Sequence, residues 1–531
     1  MIKKILTIIL FAFSLYAQQS PLDQNQFMLA ESYEQRSDFN KAVEIIETLN
    51  KKDPNNIIYF NKLNSLYLRL KKYDESVSLI NTRILIAPQD ISLYGMLGST
   101  YYTAGDRTKA YQVWDDAIEK FKANQMIFRI LANYAIEKRD FEKAIELLSR
   151  GKEISPDPYL FSFDLGELYS LTMQYKEAAE EYCKLIAERP AQYPQIENKI
   201  ISFSNKPNAL KETIEVVEKY QSKGNINFSY LLARLYIESR EFEEAFDIYK
   251  SIDNKQQTQG AELNNFADYI YRDGNYTIAL KIYQYLIESY PDALIAGKVK
   301  LGYAKTQEVL LWENYSKENP EWKKYYHSVK IDSKKIEPVI QAYKDLIKIY
   351  GSSEIAVESN LRIGLLLFHL QDDFAGAGKY LKVILDKYST SKFSSFAVVE
   401  LGNISIIQAK LDEAEKHFET VNIMPRINAD DKSFALYQLA RINSFKGNFD
   451  KARKYLTGIL NNLKDNIAND AIEFSILLNT AKNDSSNLSI YCNAEFLSEQ
   501  KRFGEAKDLY LQLSQNPQAF IFQSIAKLRV A

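Results

Sequence analysis

The chain has 531 residues, with 67 Lys and Arg against 69 Asp and Glu, giving a formal net charge of −2. Charges of both signs are interspersed, which excludes the basic stripe of a nucleic-acid binder and the acidic tail of a charged interaction segment. The 18 Gly and 13 Pro are under half the share of average usage, while 37 Tyr and 28 Phe supply bulky filler, so long helices joined by short turns are expected.

In chain order, residues 1–17 read as an export signal. Lys3 and Lys4 precede an apolar run from Ile5 to Tyr16, and the small residues Ser14 and Ala17 offer a cleavage point after Ala17. As a helix the run would cover only ~20 Å of a hydrocarbon core of ~30 Å, which favours a cleaved signal over a retained anchor. No Cys adjoins the cleavage point, and no later run is long and apolar enough to span a bilayer. The expectation is an exported chain, periplasmic or otherwise in the bacterial cell envelope, without a stable membrane anchor after cleavage.

Residues 18–191 repeat with a step of 34. Ala42, Ser76, Ala110, Ala144 and Ala178 form one column, and the pairs Leu29-Ala30, Leu63-Asn64, Leu97-Gly98, Leu131-Ala132 and Leu165-Gly166 form another. Tyr33, Tyr67, Tyr101 and Tyr169 follow four residues after the Leu. Phe39, Tyr73, Phe141 and Tyr175 stand three before the small column, and Pro54, Pro88, Pro156 and Pro190 close four units. Small residues let two helices approach, Ile46, Ile80, Trp114, Leu148 and Tyr182 fill the space between layers, and Pro ends the second helix of each unit. This pattern resembles the tetratricopeptide repeat (TPR). The resemblance implies an all-α chain, a right-handed α-solenoid (superhelix) of antiparallel helix pairs, about twelve to thirteen in number, that offers a binding surface.

Beyond this regular array, residues 192–225 read as a degenerate helix pair. Residues 226–306 return to phase at Leu232-Ala233/Ala245 and Phe266-Ala267/Ala279. Leu301-Gly302 then stands 40 residues before its partner Ala342 instead of the usual 12, which marks residues 307–334 as an aromatic-rich insertion. Residues 335–464 form a longer-period array, with Ile363-Gly364/Ala377, Leu401-Gly402/Ala414 and Leu439-Ala440/Ala452. Residues 465–531 hold a divergent helix, a last unit around Ala494 and Ala506, and a terminal helix. In that terminal helix Phe520, Phe522, Ile525 and Leu528 are expected to cover the last pair as a cap. It reads equally as the first helix of a repeat whose second helix is missing.

The segments SYPDALIAGKVKLGYAK and KYSTSKFSSFAVVELGNI, within residues 286–460, are similar to the TPR variants of the Tol–Pal coordinator and of outer-membrane-assembly lipoproteins. Only Tyr290-Pro291 matches their turn fully; Tyr350-Gly351-Ser352 and Tyr388-Ser389-Thr390 depart from it. The resemblance implies an exported envelope scaffold of unspecified partner.

Residues with catalytic chemistry are sparse. His327, His369 and His417 lie on different elements without acidic or Cys neighbours at metal-ligand spacing, and Cys183 and Cys492 read as buried thiols far apart. There is no phosphate-binding Gly loop, no G-x-S-x-G elbow and no HExxH. No catalytic, cofactor or metal site is expected, and the chain is read as no enzyme. An envelope glycan-processing enzyme remains as an alternative only if the insertion folds into a site.

Binding is the default, through protein or peptide partners, with homo-oligomers and self-assembly as the runner-up. Arg129 and Asn133 occupy two positions that clamp a terminal carboxylate in cytosolic chaperone-binding TPRs, but the next repeat supplies Phe163 and Glu167, leaving the clamp incomplete. Leu361, Leu365, Phe368, Phe396, Val399, Phe434, Tyr437 and Arg441 fall at comparable helix positions. They read either as ordinary core or as an apolar groove for a peptide, with Tyr437 and Arg441 as anchors. In the insertion, Trp322, Tyr325 and Tyr326 are candidate contact residues, weighed against a segment that wraps back over exposed layers.

Overall fold

The computed structural model describes residues 21–222, 224–320, 322, 329–424, 427, 429–460 and 466–531. The expected signal at 1–17 lies outside the described residues. Among the described residues, all regular structure is helical, with 28 α-helices, and the chain divides into two compact units after Ile248. Each unit is a solenoid of antiparallel helix pairs.

In the first unit the pairs run from Pro21–Gln35/Phe39–Lys52 to Ile226–Glu238/Phe242–Gln256, whose second helix crosses the division. The turn within each pair is built by one backbone device. Ser37, Lys71, Gly105, Arg139 and Met173 all have φ between +58° and +93°, again at a step of 34. A left-handed residue at that point lets the following N–H reach back five residues. Asp38 N–H bonds to Tyr33 O, Lys72 N–H to Tyr67 O, Asp106 N–H to Tyr101 O, and Asp140 N–H to Ala135 O. Asp38, Asp106 and Asp140 then cap the second helix through bonds to Lys41, Lys109 and Lys143 N–H. One residue therefore closes the first helix and opens the second. This regularity was not visible as a sequence column, because five different residue types occupy the left-handed position.

The expected packing columns are present. Ala42, Ser76, Ala110, Ala144 and Ala178 are fully buried, as are Ile46, Ile80 and Trp114. A methyl placed on Gly98 would lie 2.1 Å from Trp114 Nε1, and one on Gly166 2.7 Å from the Tyr182 ring, so the small column makes room for the large one of the same pair. In the second pair both small positions are polar, and Ser76 Oγ donates to Asn64 Oδ1 at 2.5 Å. Leu29 departs from its column: it is largely exposed, because no described helix packs on the outer side of its layer.

The second unit follows the same plan with longer connections. Of the residues expected as an insertion, 307–318 extend the helix Ala296–Glu318 to 23 residues, and 333–334 open its partner Ser333–Tyr350. Buried Glu308 fixes that extension by accepting from Trp312 Nε1 at 3.1 Å and the Tyr343 hydroxyl at 2.5 Å, with Arg362 3.4 Å away. Near the C-terminal end, Ala468–Thr480 is an additional single helix against Phe449–Leu460, while Ala429–Phe445 touches Ser485–Glu499 directly. The terminal helix, Phe520–Val530, covers the last pair through Phe522 and Ala526. Phe520 and Leu528, expected in that cap, face solvent; Ala526 takes the buried position on the stripe that starts at Phe522, as four-residue spacing requires.

Candidate partner-binding site

The residues expected to line one C-terminal groove separate. Leu361 and Phe368 are core, within a cluster around Leu381 and Ile384, and Leu365 packs partly buried against it. Phe396 is exposed. Val399 and Phe434 are half-buried, packed against a cluster around Phe418. These residues therefore do not form one continuous lining: Leu361 and Phe368 are enclosed in the core, while Phe396 faces solvent.

Tyr437 and Arg441 do meet open space. They line a cleft of about 520 Å³ built from four helices. Ala429–Phe445 contributes Tyr437, Arg441 and Phe445, and Phe520–Val530 contributes Ile521, Ile525 and Arg529, each set at four-residue spacing along one face. Ser485–Glu499 supplies Tyr491, Cys492 and Glu495. The additional helix forms the remaining wall with Asp470, Glu473, Phe474, Ile476, Leu477 and Thr480. Tyr437 and Phe474 meet edge to face at 6.2 Å.

Both arginines of the cleft already have carboxylate partners. Arg441 Nη2 donates to Glu499 at 2.5 Å and Nη1 to Gln438 at 3.1 Å, and the guanidinium lies over the Phe445 ring. Arg529 Nε donates to Glu495 at 3.1 Å, and Glu495 also accepts from the Tyr510 hydroxyl at 2.6 Å. Burial, supported by the nearby carboxylates and opposed by Arg441, raises the Tyr437 hydroxyl above its ordinary pKa. Burial pushes the Cys492 thiol up to about 12, so it stays protonated and is a poor nucleophile at neutral pH.

The second wall was missed at the sequence level. Residues 470–482 stood out only as divergent, and the signal available was Phe474, Leu477 and Leu478 at helical spacing with Asp470 and Glu473 on a neighbouring face.

The other candidates lie elsewhere. Arg129 bridges successive repeats: Nη2 donates to Asp164 at 2.7 Å and to Leu160 O at 3.1 Å, and its guanidinium lies over Phe161. Its charge is thus engaged within the array, while Asn133 is exposed. Trp322 is exposed; Tyr325 and Tyr326, like His327, lie outside the described residues. His369 Nε2 stands 3.4 Å from Glu400, a carboxylate partner that sequence spacing did not reveal. Cys183 and Cys492 are both buried and free. Among the described residues no three His, Cys, Asp or Glu side chains are grouped to hold a metal ion, and no helix is long and apolar enough to cross a membrane.

Models of the tetratricopeptide repeat match residues 24–56, 96–157 and 435–460. The TPR repeat-containing protein MJ1428 of Methanocaldococcus jannaschii is 24% identical over 274 residues, 47% of each protein, so the chain spans about half the length of that curated relative. Among solved structures, yeast Tom70 is matched at 12% identity and a TM-score of 0.32 over 88% of this chain and 97% of that one. The Cut9–Hcn1 hetero-tetramer of the APC/C is matched at 13% identity and a TM-score of 0.29, over 95% and 96%.

Proposed function

We propose that this chain, whose tetratricopeptide repeats build an α-solenoid, is a non-enzymatic scaffold or adaptor that holds protein partners in the bacterial cell envelope. The observation that supports it most directly is the cleft at Tyr437 and Arg441: aromatic and aliphatic walls on four helices, with charged groups at defined positions and a thiol kept neutral. Such a site offers burial and orientation, the terms on which peptides are bound. The envelope setting rests on Lys3, Lys4 and the apolar run to Tyr16, together with the likeness of residues 286–460 to envelope TPR scaffolds.

A photo-crosslinking residue at exposed Ile476, on the cleft wall, tests the scaffold reading in the native cell. A defined protein adduct, absent when the probe sits at exposed Leu294, is the expected result; identical adducts from both positions would overturn it. The mature N-terminus, read by mass spectrometry, tests export: a chain that retains Met1 to Ala17 contradicts the cleaved signal.

Self-association is a second reading, favoured by exposed Phe520 and Leu528 on the terminal helix. Sizing of the chain with both residues changed to Ser decides it, a shift to smaller mass being the supporting outcome.

A further inference from the structure

The scaffold reading leaves open what the cleft recognises, and its charges narrow the choice. We infer that it receives a cationic side chain, Lys or Arg, carried on an apolar peptide segment; this rests on the reading of the cleft as a partner site.

An anionic ligand would have to take Arg441 from Glu499, 2.5 Å away, or Arg529 from Glu495, 3.1 Å away. Either exchange would leave a protein carboxylate without its cation, so the gain to the ligand is cancelled by the loss to the wall. A cation meets the opposite situation. Asp470 and Glu473 stand at three-residue spacing on the same helix, both exposed at the cleft, and neither has a hydrogen bond or ion pair among the described residues. Both act electrostatically on the Tyr437 hydroxyl, which places their charge toward the opposite wall.

The shape of the cleft fits the same occupant. Lys and Arg carry an apolar stem below a charged head. The stem would lie along Phe474, Leu477 and Ile525, and the head would reach Asp470 and Glu473 at the mouth, beside the aromatic ring of Tyr437. The remaining volume accommodates a neighbouring apolar residue of the same peptide. A charged mouth above an apolar floor therefore selects a basic residue flanked by hydrophobic ones, rather than an extended basic tract.

The test is a selection from random twelve-residue peptides displayed by their C-terminal end, so that no free carboxylate is present. The targets are the full chain, the Asp470→Asn/Glu473→Gln double variant, and Thr480→Trp, which fills the cleft from an exposed position. Circular dichroism melting confirms that all three fold alike. The expected result is enrichment of peptides pairing Lys or Arg with apolar residues. As amidated synthetic peptides they should bind the double variant at least about tenfold more weakly, bind Thr480→Trp more weakly still, and lose affinity as salt rises. Acidic peptides, or basic ones that bind the double variant equally, overturn the cationic assignment and leave the scaffold reading in place. Binding unaffected by Thr480→Trp moves the site elsewhere and overturns the assignment, and failure to select any peptide overturns both readings.

Discussion

Lys501 Nζ lies 2.5 Å from Asp372 Oδ1, although 129 residues separate them. Both occupy the left-handed position of a within-pair turn, with φ of +60° and +54°. The Glu354–Leu365/Phe374–Tyr388 pair is thereby tied to the Ser485–Glu499/Phe503–Gln515 pair, so this part of the second unit curls until equivalent turns touch. Lys330, 3.4 Å from Asp372, adds a second cation. The curl also brings Phe496 over Phe445 at 5.0 Å, beside the cleft.

The bridge joins two partly exposed side chains, so its coupling should be modest. A double-mutant cycle of Asp372→Asn and Lys501→Met in chemical denaturation should give about 0.5–1 kcal/mol, falling with salt. Zero coupling at low salt would show that the curl is held by packing alone.

Glu415 accepts from Lys446 and Lys451 at 2.6 Å and from Asn443 at 3.0 Å. Burial opposes its ionisation, but the three donors outweigh it and hold the carboxyl at about 2. A folded pKa below the unfolded value of ~4.3 contributes stability that is present above ~4.3 and lost as pH falls toward 2. Thermal melts across this window should fall less steeply for Glu415→Gln than for the wild type; equal slopes refute the assignment.

Glu308 is buried among Trp312, Tyr343 and Arg362, and it attaches the extended helix to the layers after it. Glu308→Ala leaves Arg362 without that partner and should cost about 3–5 kcal/mol, with a red shift of Trp312 emission. A loss below about 1 kcal/mol would mean that the network is dispensable.

Two glycines separate packing from backbone strain. A methyl at Gly98 collides with Trp114, so Gly98→Ala should cost about 1–3 kcal/mol. Gly105 has φ +93° and open space around it, so Gly105→Ala should cost about 1–2 kcal/mol through conformation alone. Adding Trp114→Phe, which removes the nearest ring atoms, should relieve the first loss and leave the second unchanged.

The repeats were legible because their packing is local: residues 16 apart, such as Gly98 and Trp114, meet within one pair. The ends of the second helices followed from the closing Pro residues, such as Pro54 and Pro88. The cleft was only half legible. Tyr437 and Arg441 occupy a repeat position that can be located by counting, whereas Asp470, Glu473 and Arg529 reach them through an additional helix and a terminal helix that interrupt the count. Leu361 and Tyr437 show the converse: two residues before the Ile363 and Leu439 columns alike, Leu361 is enclosed in the core while Tyr437 lines the cleft.

The turn in which one residue ends a helix and starts the next also governs where the chain tolerates changes of length. From Gln35/Phe39 to Glu499/Phe503, paired helices that turn at this device are separated by three residues, save Leu365/Phe374, where the π-helical turn Leu366–Leu370 comes first, whereas the connections between pairs vary, as at Tyr388/Ser394, Ile423/Ala429 and Leu460/Ala468. The molecule is therefore a string of rigid clasps joined by adjustable links. An epitope or fluorophore spliced beside solvent-facing Leu294 should leave both neighbouring pairs in register, while a single residue added between Ser37 and Asp38 would rotate one helix about 100° against its mate and dislodge the layer.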